Sequence, residues 1–566
     1  MSTPVVRTRA ERWTRPGGML VLALAVTLWR LVVLQQSGHN LSFDEAQYWH
    51  WSLDFDFGYF SKPPLVAWII GLATALFGEG EVAIRGAVPV AHGVTSVLVF
   101  LLGRRLYGPL AGLWAGLLFL LMPGVTFSSL LVSTDPFLLT CWAGALLALV
   151  VALEEDRLGA WAALGLALGV GLLAKYAMAY FVPCFLVFLA VSPAHRPLLR
   201  RPGPWLALGL GLLLLAPNMA WNAAHGFVTL AHTQANANLG GPLFHPDHLA
   251  EFIGAQAGVF GPIPFLAFLW LLVRPGSRPA DPPGLPAGRL LVSFSLPILA
   301  LVALLALLSR ANANWAAPAF VAAAVWVAGA LSASPRRRAW LWAALVIHLV
   351  AAGVLANYEA TLKLLGIEMT QRTDIQKRLR GWDEVGAWAT DLSQRHPGVR
   401  LLFDSRKVMT PLLYYVRPHP LDAGMWNPDG HPENHYELTA DIAQAVGEDF
   451  LYLTRRDDAS AVAGAFDSVA GLGVMRLVYP TGHTLTVRAY LARGFKGYGA
   501  AGTAMGEHEP LSPLEPMMTE NRLASRGQGR AAPAPPGKPL DPGWQGGTLP
   551  IIGSRGESGS RPGDTA

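Results

Sequence analysis

Charged residues make up only 14 % of this 566-residue sequence, where a soluble domain carries roughly a quarter. That scarcity excludes an ordinary soluble globular protein. Cysteine is nearly absent. Cys141 and Cys184 are the two, both inside apolar runs, so a disulfide framework and a Cys-ligated metal site are excluded. There is no Walker loop, no GxGxxG opening a helix and no HExxH motif, so the signatures of nucleotide and zinc-protease chemistry are missing. The net charge of +5 is small, and the arginines cluster in short loops. That is a pattern of membrane topology, and it argues against a nucleic-acid partner. No internal repeat is evident.

Apolar sequence is abundant instead, at 52 %. Runs of about 18 or more apolar residues recur up to residue 356, and each can span roughly 30 Å of hydrocarbon. The first follows Arg7, Arg9, Arg12 and Arg15 but lacks a small-residue cleavage site, so it reads as an uncleaved span. The expected fold is an all-α polytopic membrane domain (1–356), a small α/β domain (357–496) and a disordered tail (497–566) rich in Gly, Pro and Ser. Spans are expected near 18–36, 85–103, 110–128, 136–153, 158–174, 177–192, 204–221, 252–273, 289–308, 315–333 and 338–356, about eleven in all.

The segment 65–78 is too short to span comfortably and is followed by Glu79 and Glu81. Read as a surface helix, it sets a parity that places Arg104-Arg105, Arg196, Arg200-Arg201, Arg274, Arg278, Arg289 and Arg336-Arg337-Arg338 inside. Only the loop EEDR at 154–157 lends no support. Lys62, Arg85, Lys175 and Arg310 then fall outside, as does the α/β domain. In that domain Val399–Asp404 and Phe450–Thr454 read as strands, and Asp383–Gln394 and Tyr436–Val446 as helices.

The outer face collects the polar groups. The densest stretch is Leu41–Leu65, LSFDEAQYWHWSLDFDFGYFSKPPL, with Asp44, Glu45 and Lys62 among aromatic residues. Asp135 (STDPF), Lys175-Tyr176, the loop Asn218–His248 and Arg310-Ala-Asn312-Ala-Asn314 lie on the same side. Each has a plainer reading. Asp135 before Pro136 suits a helix N-cap. Lys62 and Lys175 can snorkel to the interface. Trp49, Trp51, Tyr59 and Phe60 can form an aromatic belt. His225, His232, His245 and His248 have irregular spacing and read as solvated loop histidines, so no metal site is expected. Asp54 and Asp56 read as solvated loop carboxylates.

The combination exceeds these separate readings. A carboxylate near an interfacial lysine suits group transfer from a lipid-borne phosphate: the carboxylate takes a proton from the attacking hydroxyl and the lysine neutralises the departing phosphate. A transporter or flippase would instead place ionisable groups near the bilayer midplane. A scaffold for envelope assembly leaves the Asp44–Lys62 pairing unexplained.

The pieces SFDEAQYWHW, GYFSKPPLVAWIIGLATALFG, AIR and LLGRRLYG resemble the polyprenyl-phosphate-sugar-dependent GT-C glycosyltransferases. That class includes dolichyl-phosphate-mannose protein mannosyltransferases and bacterial lipid A aminoarabinose transferases. The likeness continues through STDPFLL, LLAKYAMAYF, PNMAWNAAHGFVTL and ANANWAAPAF, over roughly residues 20 to 330. The resemblance implies a catalytic aspartate at Asp44, and Glu45 beside it and Asp135, the acidic residue of the second outer loop, are the further catalytic candidates. It implies donor-phosphate contacts from Lys62, with Lys175 and Arg310. It makes Tyr59, Tyr176, His225, Asn312 and Asn314 substrate-binding candidates. The implied donor is a polyprenyl-phosphate sugar, and the acceptor a lipid, glycan or protein. The implied location is the bacterial inner membrane, with the C-terminal domain periplasmic. No cofactor is required by this chemistry, and a divalent metal is compatible with it.

Overall fold

A chain that leaves water must satisfy its own backbone, and helices do so within each segment. The computed structural model describes residues 13–235, 243–371 and 373–500. The Gly/Pro-rich tail beyond residue 500, together with Arg7, Arg9 and Arg12, lies outside them. Among the described residues six helices are long and apolar enough to cross a membrane: Pro16–Ser37, Glu81–Tyr107, Asp135–Glu155, Pro202–Ala224, Ala287–Leu308 and Pro335–Ala356. Shorter apolar helices stand beside them, among them Pro109–Leu120, Leu158–Ala174 and Ala319–Ser332. Arg105 ion-pairs with both Glu154 and Glu155. The acidic loop that weakened the charge pattern is therefore neutralised by the arginine turn beside it.

Two expected straight spans are broken, and proline accounts for both. The segment 252–273 forms Pro246–Phe260 and Pro262–Val273, bent by 112°. Gly261 at the elbow has φ 93° and precedes Pro262, whose ring and missing N–H break the helical ladder. A Cβ on Gly261 would fall 2.0 Å from His348 Nε2, so the last long helix packs into the elbow. Likewise 110–128 stops at Leu120 and restarts as Pro123–Ser128.

The segment expected to lie on the surface is a helix, Leu65–Phe77. Its 13 residues reach about 20 Å, short of the roughly 30 Å of a bilayer core. Val66, Ala67 and Ile70 are buried, while Leu72, Leu76 and Phe77 are exposed.

Beyond the helices, five strands form one sheet in the order β2-β1-β3-β5-β4. They are β1 (Arg400–Phe403), β2 (Gly424–Met425), β3 (Phe450–Thr454), β4 (Phe466–Val478) and β5 (Thr484–Phe495). β1 pairs in parallel with β2 and β3, whereas β5 is antiparallel to β3 and β4. The expected strands at 399–404 and 450–454 and the helix at 383–394, observed as Trp382–Arg395, are present. The expected helix Tyr436–Val446 is not. Its helical part is His435–Thr439, and Asp441 then bridges to Met425. The Asp441 carboxylate accepts from the Ala443 amide and from Asn427 Nδ2. Such local side-chain bonds compete with helix continuation.

The helical part and the sheet-bearing part belong to one compact unit, joined through the first loop. Its helix Phe43–Ser52 packs on Arg406–Tyr415. Thr410 Oγ1 donates to the Phe43 carbonyl at 2.8 Å, and the Leu41 amide donates to Tyr415 Oη at 2.7 Å. Trp49 and Trp51 are 0 % and 1 % exposed, and Tyr59 and Phe60 are also buried. These four therefore do not form a lipid-facing belt. The first three belong to the shared core that docks the sheet domain on the first loop.

Candidate active site

Ser42 starts the organising helix. Its hydroxyl accepts from the Glu45 amide, and the Glu45 carboxylate accepts from the Ser42 amide, a reciprocal cap. This places Asp44 and Glu45 in the first turn with opposite fates. Glu45 is 1 % exposed and is gripped by Arg85, Nε to Oε1 at 2.7 Å and Nη2 to Oε2 at 2.9 Å. The Val132 amide donates to it as well, at 2.9 Å. Arg85 was expected in an outer loop. It is buried one turn into Glu81–Tyr107, and its remaining donors go to the carbonyls of His39 and Asn40.

Asp44 stays half open, its side chain 50 % exposed, with Arg406 Nη1 3.1 Å from Oδ1. The same Nη1 donates to Gln47 Oε1 at 2.9 Å, which fixes the guanidinium between the two. Arg406 lies far along the chain, at the start of the helix after β1, in a region whose sequence carries no motif. It could not be found by reading locally.

Asp135 is not the N-cap; Thr134 is, and it makes no side-chain cap bond. The Asp135 carboxylate instead takes Lys175 Nζ at 2.7 Å and Asn314 Nδ2 at 2.8 Å. Three segments distant in the sequence thus meet at one carboxylate. Lys175 is held by this ion pair rather than snorkelling.

Lys62 is half-buried. Burial lowers its pKa, and the Lys175 charge lowers it further, against the opposing pull of Asp44 and Asp135. These influences place Lys62 within electrostatic reach of both carboxylates. It makes no ion pair among the described residues. A desolvated ammonium with no paired anion is suited to receive a phosphate.

The remaining candidates sort into two groups. Tyr176 Oη donates to Asn218 Oδ1 at 2.7 Å and accepts from Asn222 Nδ2 at 3.2 Å. Asn218 Nδ2 reaches the Phe57 carbonyl at 2.7 Å, so Tyr176 braces the first loop. Tyr59 Oη donates to the carbonyls of Trp51 and Asp54, both at 2.8 Å. His225 is exposed and stacks on Trp221 with centroids 4.0 Å apart. Arg310 and Asn312 are exposed, and their side chains make no hydrogen bond or ion pair among the described residues. Asp56 is not a plain solvated carboxylate: its Oδ2 accepts from Trp221 Nε1 at 2.5 Å. Nor are all the loop histidines merely solvated. His245 and His248 stack at 4.6 Å, and with Asp247 they bring ligand atoms within 4.8 Å of one another, spacing at which a cation can be held.

Sequence and structure comparisons bear directly on this site. A model of the dolichyl-phosphate-mannose-protein mannosyltransferase family matches residues 61–221, the stretch containing Lys62, Asp135 and Lys175. The lipid A galacturonosyltransferase RgtD of Rhizobium johnstonii is 32 % identical over 444 residues, covering 78 % of this chain and 91 % of that protein. The chain belongs to the polyprenyl-phosphate-dependent GT-C glycosyltransferases. An undecaprenyl phosphate-alpha-4-amino-4-deoxy-L-arabinose arabinosyl transferase of Pseudomonas fluorescens is 30 % identical over 31 % of the chain and 33 % of that protein. Among solved structures, ArnT from Cupriavidus metallidurans bound to undecaprenyl phosphate superposes with a TM-score of 0.57. The match covers 83 % of this chain and 98 % of ArnT at 18 % identity, a likeness of fold. The protein is a membrane glycosyltransferase, and a transporter or a scaffold without chemistry no longer describes it.

Proposed function

We propose that this glycosyltransferase moves a sugar from a polyprenyl-phosphate donor to lipid A at the periplasmic face of a bacterial inner membrane, with inversion. The reading takes about eleven crossings, the shorter apolar helices included, with Leu65–Phe77 along the surface and the sheet domain outside. The observation that carries it is the grouping of an open carboxylate at Asp44, the unpaired, half-buried Lys62 and the Asp135–Lys175 pair on one side of the helical domain.

The step is a single displacement. Asp44 takes the proton from an acceptor hydroxyl as its oxygen attacks the anomeric carbon. The bond from that carbon to the phosphate oxygen breaks, and its electron pair leaves with the polyprenyl phosphate. Lys62 meets the developing phosphate charge, with Lys175 behind it. Attack opposite the leaving group inverts the configuration. Arg406 aims Asp44. Glu45, grouped with Asp44 by sequence, has both oxygens committed to Arg85 and to backbone amides, so we assign it a positioning role. A catalytic metal is not required by this scheme.

Lipid A is chosen because a relative matched over 78 % of this chain is a lipid A galacturonosyltransferase. The test is transfer of radiolabel by purified enzyme to lipid A from polyprenyl-phosphate-linked galacturonic acid and aminoarabinose. Labelled lipid A supports the reading. Label reaching only protein or glycan acceptors would replace the acceptor.

Lys62 gives a pH prediction with a definite sign. Its charge exists below its pKa, and burial lowers that pKa. The donor KM is expected to rise on the alkaline side, at a pH below the ~10.4 of an ordinary lysine. Lys62→Arg is expected to move that limb upward, because arginine keeps its proton. An unchanged limb in Lys62→Arg assigns the titration to another group.

A further inference from the structure

Tyr48 stands one turn beyond Asp44 on the helix Phe43–Ser52, on the same face. Helical side chains lean toward the N-terminus, so the Tyr48 ring reaches back toward Asp44. The ring is fixed in place. It is 6 % exposed and packs on the buried Trp51 with centroids 5.4 Å apart. A rigid aromatic on the helix that carries the proposed base therefore holds its hydroxyl at one defined position beside that base.

The charges around that hydroxyl locate it. Asp44 acts on it most strongly, followed by Arg406, Asp135 and Glu45. Asp44, Asp135 and Arg406 also act on Lys62. The Tyr48 hydroxyl and the Lys62 ammonium therefore border the same space. Neither carboxylate takes the hydroxyl: Asp44 is bonded to Arg406, and Asp135 to Lys175 and Asn314. Tyr48 Oη makes no hydrogen bond among the described residues, and it is not one of their fully enclosed unpaired atoms, so a ligand can reach it. By contrast, the hydroxyls of Tyr59 and Tyr176 are committed to the protein itself.

The protonation of Tyr48 fits it to an anion. Burial, then the Asp44 charge, raise its pKa well above the ~10 of an ordinary tyrosine, with Asp135 and Glu45 adding to the rise and Arg406 opposing it. The phenol keeps its proton near neutral pH and offers a donor without adding a charge. The donor phosphate is a diester with a single negative charge. When its bond to the anomeric carbon breaks, the electron pair stays on the phosphate oxygen, and the departing monoester carries a second charge. A hydrogen bond to that oxygen strengthens as the charge grows. Lys62 supplies charge there, and Tyr48 supplies direction.

We propose that the Tyr48 hydroxyl donates a hydrogen bond to the phosphate oxygen that gains charge as the sugar leaves, which makes Tyr48 a catalytic residue of this transfer. Its proton stays on Tyr48 throughout. The proposal rests on the functional reading above for the polyprenyl-phosphate donor, and not for the acceptor. The test is Tyr48→Phe, which keeps the ring against Trp51, in the full-length enzyme in detergent. Its kcat is expected to fall about 10–100-fold, the worth of one hydrogen bond to a charged group. Binding of undecaprenyl phosphate at about pH 8, where both phosphate charges are present, should weaken by a similar factor. The donor KM should stay within about twofold, and the thermal midpoint within about 2 °C. An undiminished kcat, or an undiminished affinity for undecaprenyl phosphate, overturns the proposal. A rise confined to the acceptor KM overturns it too, by giving the hydroxyl to the acceptor. A midpoint lowered beyond that margin overturns it by making the hydroxyl part of the scaffold. Wild type that fails to bind undecaprenyl phosphate removes the functional reading and this proposal together. Wild type that binds it, with Tyr48→Phe binding as tightly, removes this proposal alone.

Discussion

Asp44→Asn is expected to lower kcat by about 10²–10⁴-fold, the range that a positioned general base contributes. Asparagine keeps the shape and the hydrogen-bonding reach but cannot accept the acceptor's proton. The loss should fall on kcat and not on the donor KM, because Lys62 and the Asp135–Lys175 pair are untouched. Stability should be nearly unchanged. The Asp44 side chain is 50 % exposed and that of its partner Arg406 20 %, and a pair this open to solvent on one side is worth about 0–1 kcal/mol. Single-turnover transfer of radiolabelled sugar measures the effect. Full activity in Asp44→Asn removes the general-base assignment and leaves Asp135 to be examined in its place.

Arg85→Leu is expected to cost about 3–5 kcal/mol of stability, because it leaves the Glu45 carboxylate buried and unpaired. Both partners are almost fully buried, 3 % and 1 % exposed as side chains. Arg85 also ties down the His39 and Asn40 carbonyls, and Asn40 Oδ1 accepts from the Trp382 amide of the sheet domain at 2.9 Å. The pair thus holds both the helix that carries Asp44 and its seat against the sheet domain. Thermal unfolding in detergent is the measurement. Adding Glu45→Gln to Arg85→Leu should recover part of the loss by removing the stranded charge. A destabilisation under ~1 kcal/mol in Arg85→Leu would mean that water solvates the pair.

Much of this was legible in the sequence, for identifiable reasons. Long apolar runs fixed the helical class. The length of 65–78 and the glutamates after it marked Leu65–Phe77 as a helix of a different kind. Asp135, Lys175 and Asn314 were grouped only by the side of the membrane assigned to them, and they meet within hydrogen-bonding distance. What failed was whatever depends on contacts between distant segments. Glu45 and Asp44 are neighbours of the same type, and only the partner Arg85 separates the buried carboxylate from the open one. Arg406 comes from a domain with no motif. Trp49 and Trp51 looked like interfacial aromatics because a buried interface and a membrane surface recruit the same residues. The hairpin of β4 and β5 went unread. The Gly471/Gly473 irregularity interrupts the alternation that would have marked β4.

The central claim is a single displacement at the anomeric carbon with Asp44 as the base. The anomeric configuration of the product tests it most directly. NMR of lipid A glycosylated by the wild-type enzyme, compared with the configuration of the polyprenyl-phosphate donor, should show inversion in every product molecule. Retention of configuration would require a second displacement through a covalent intermediate and would contradict the account.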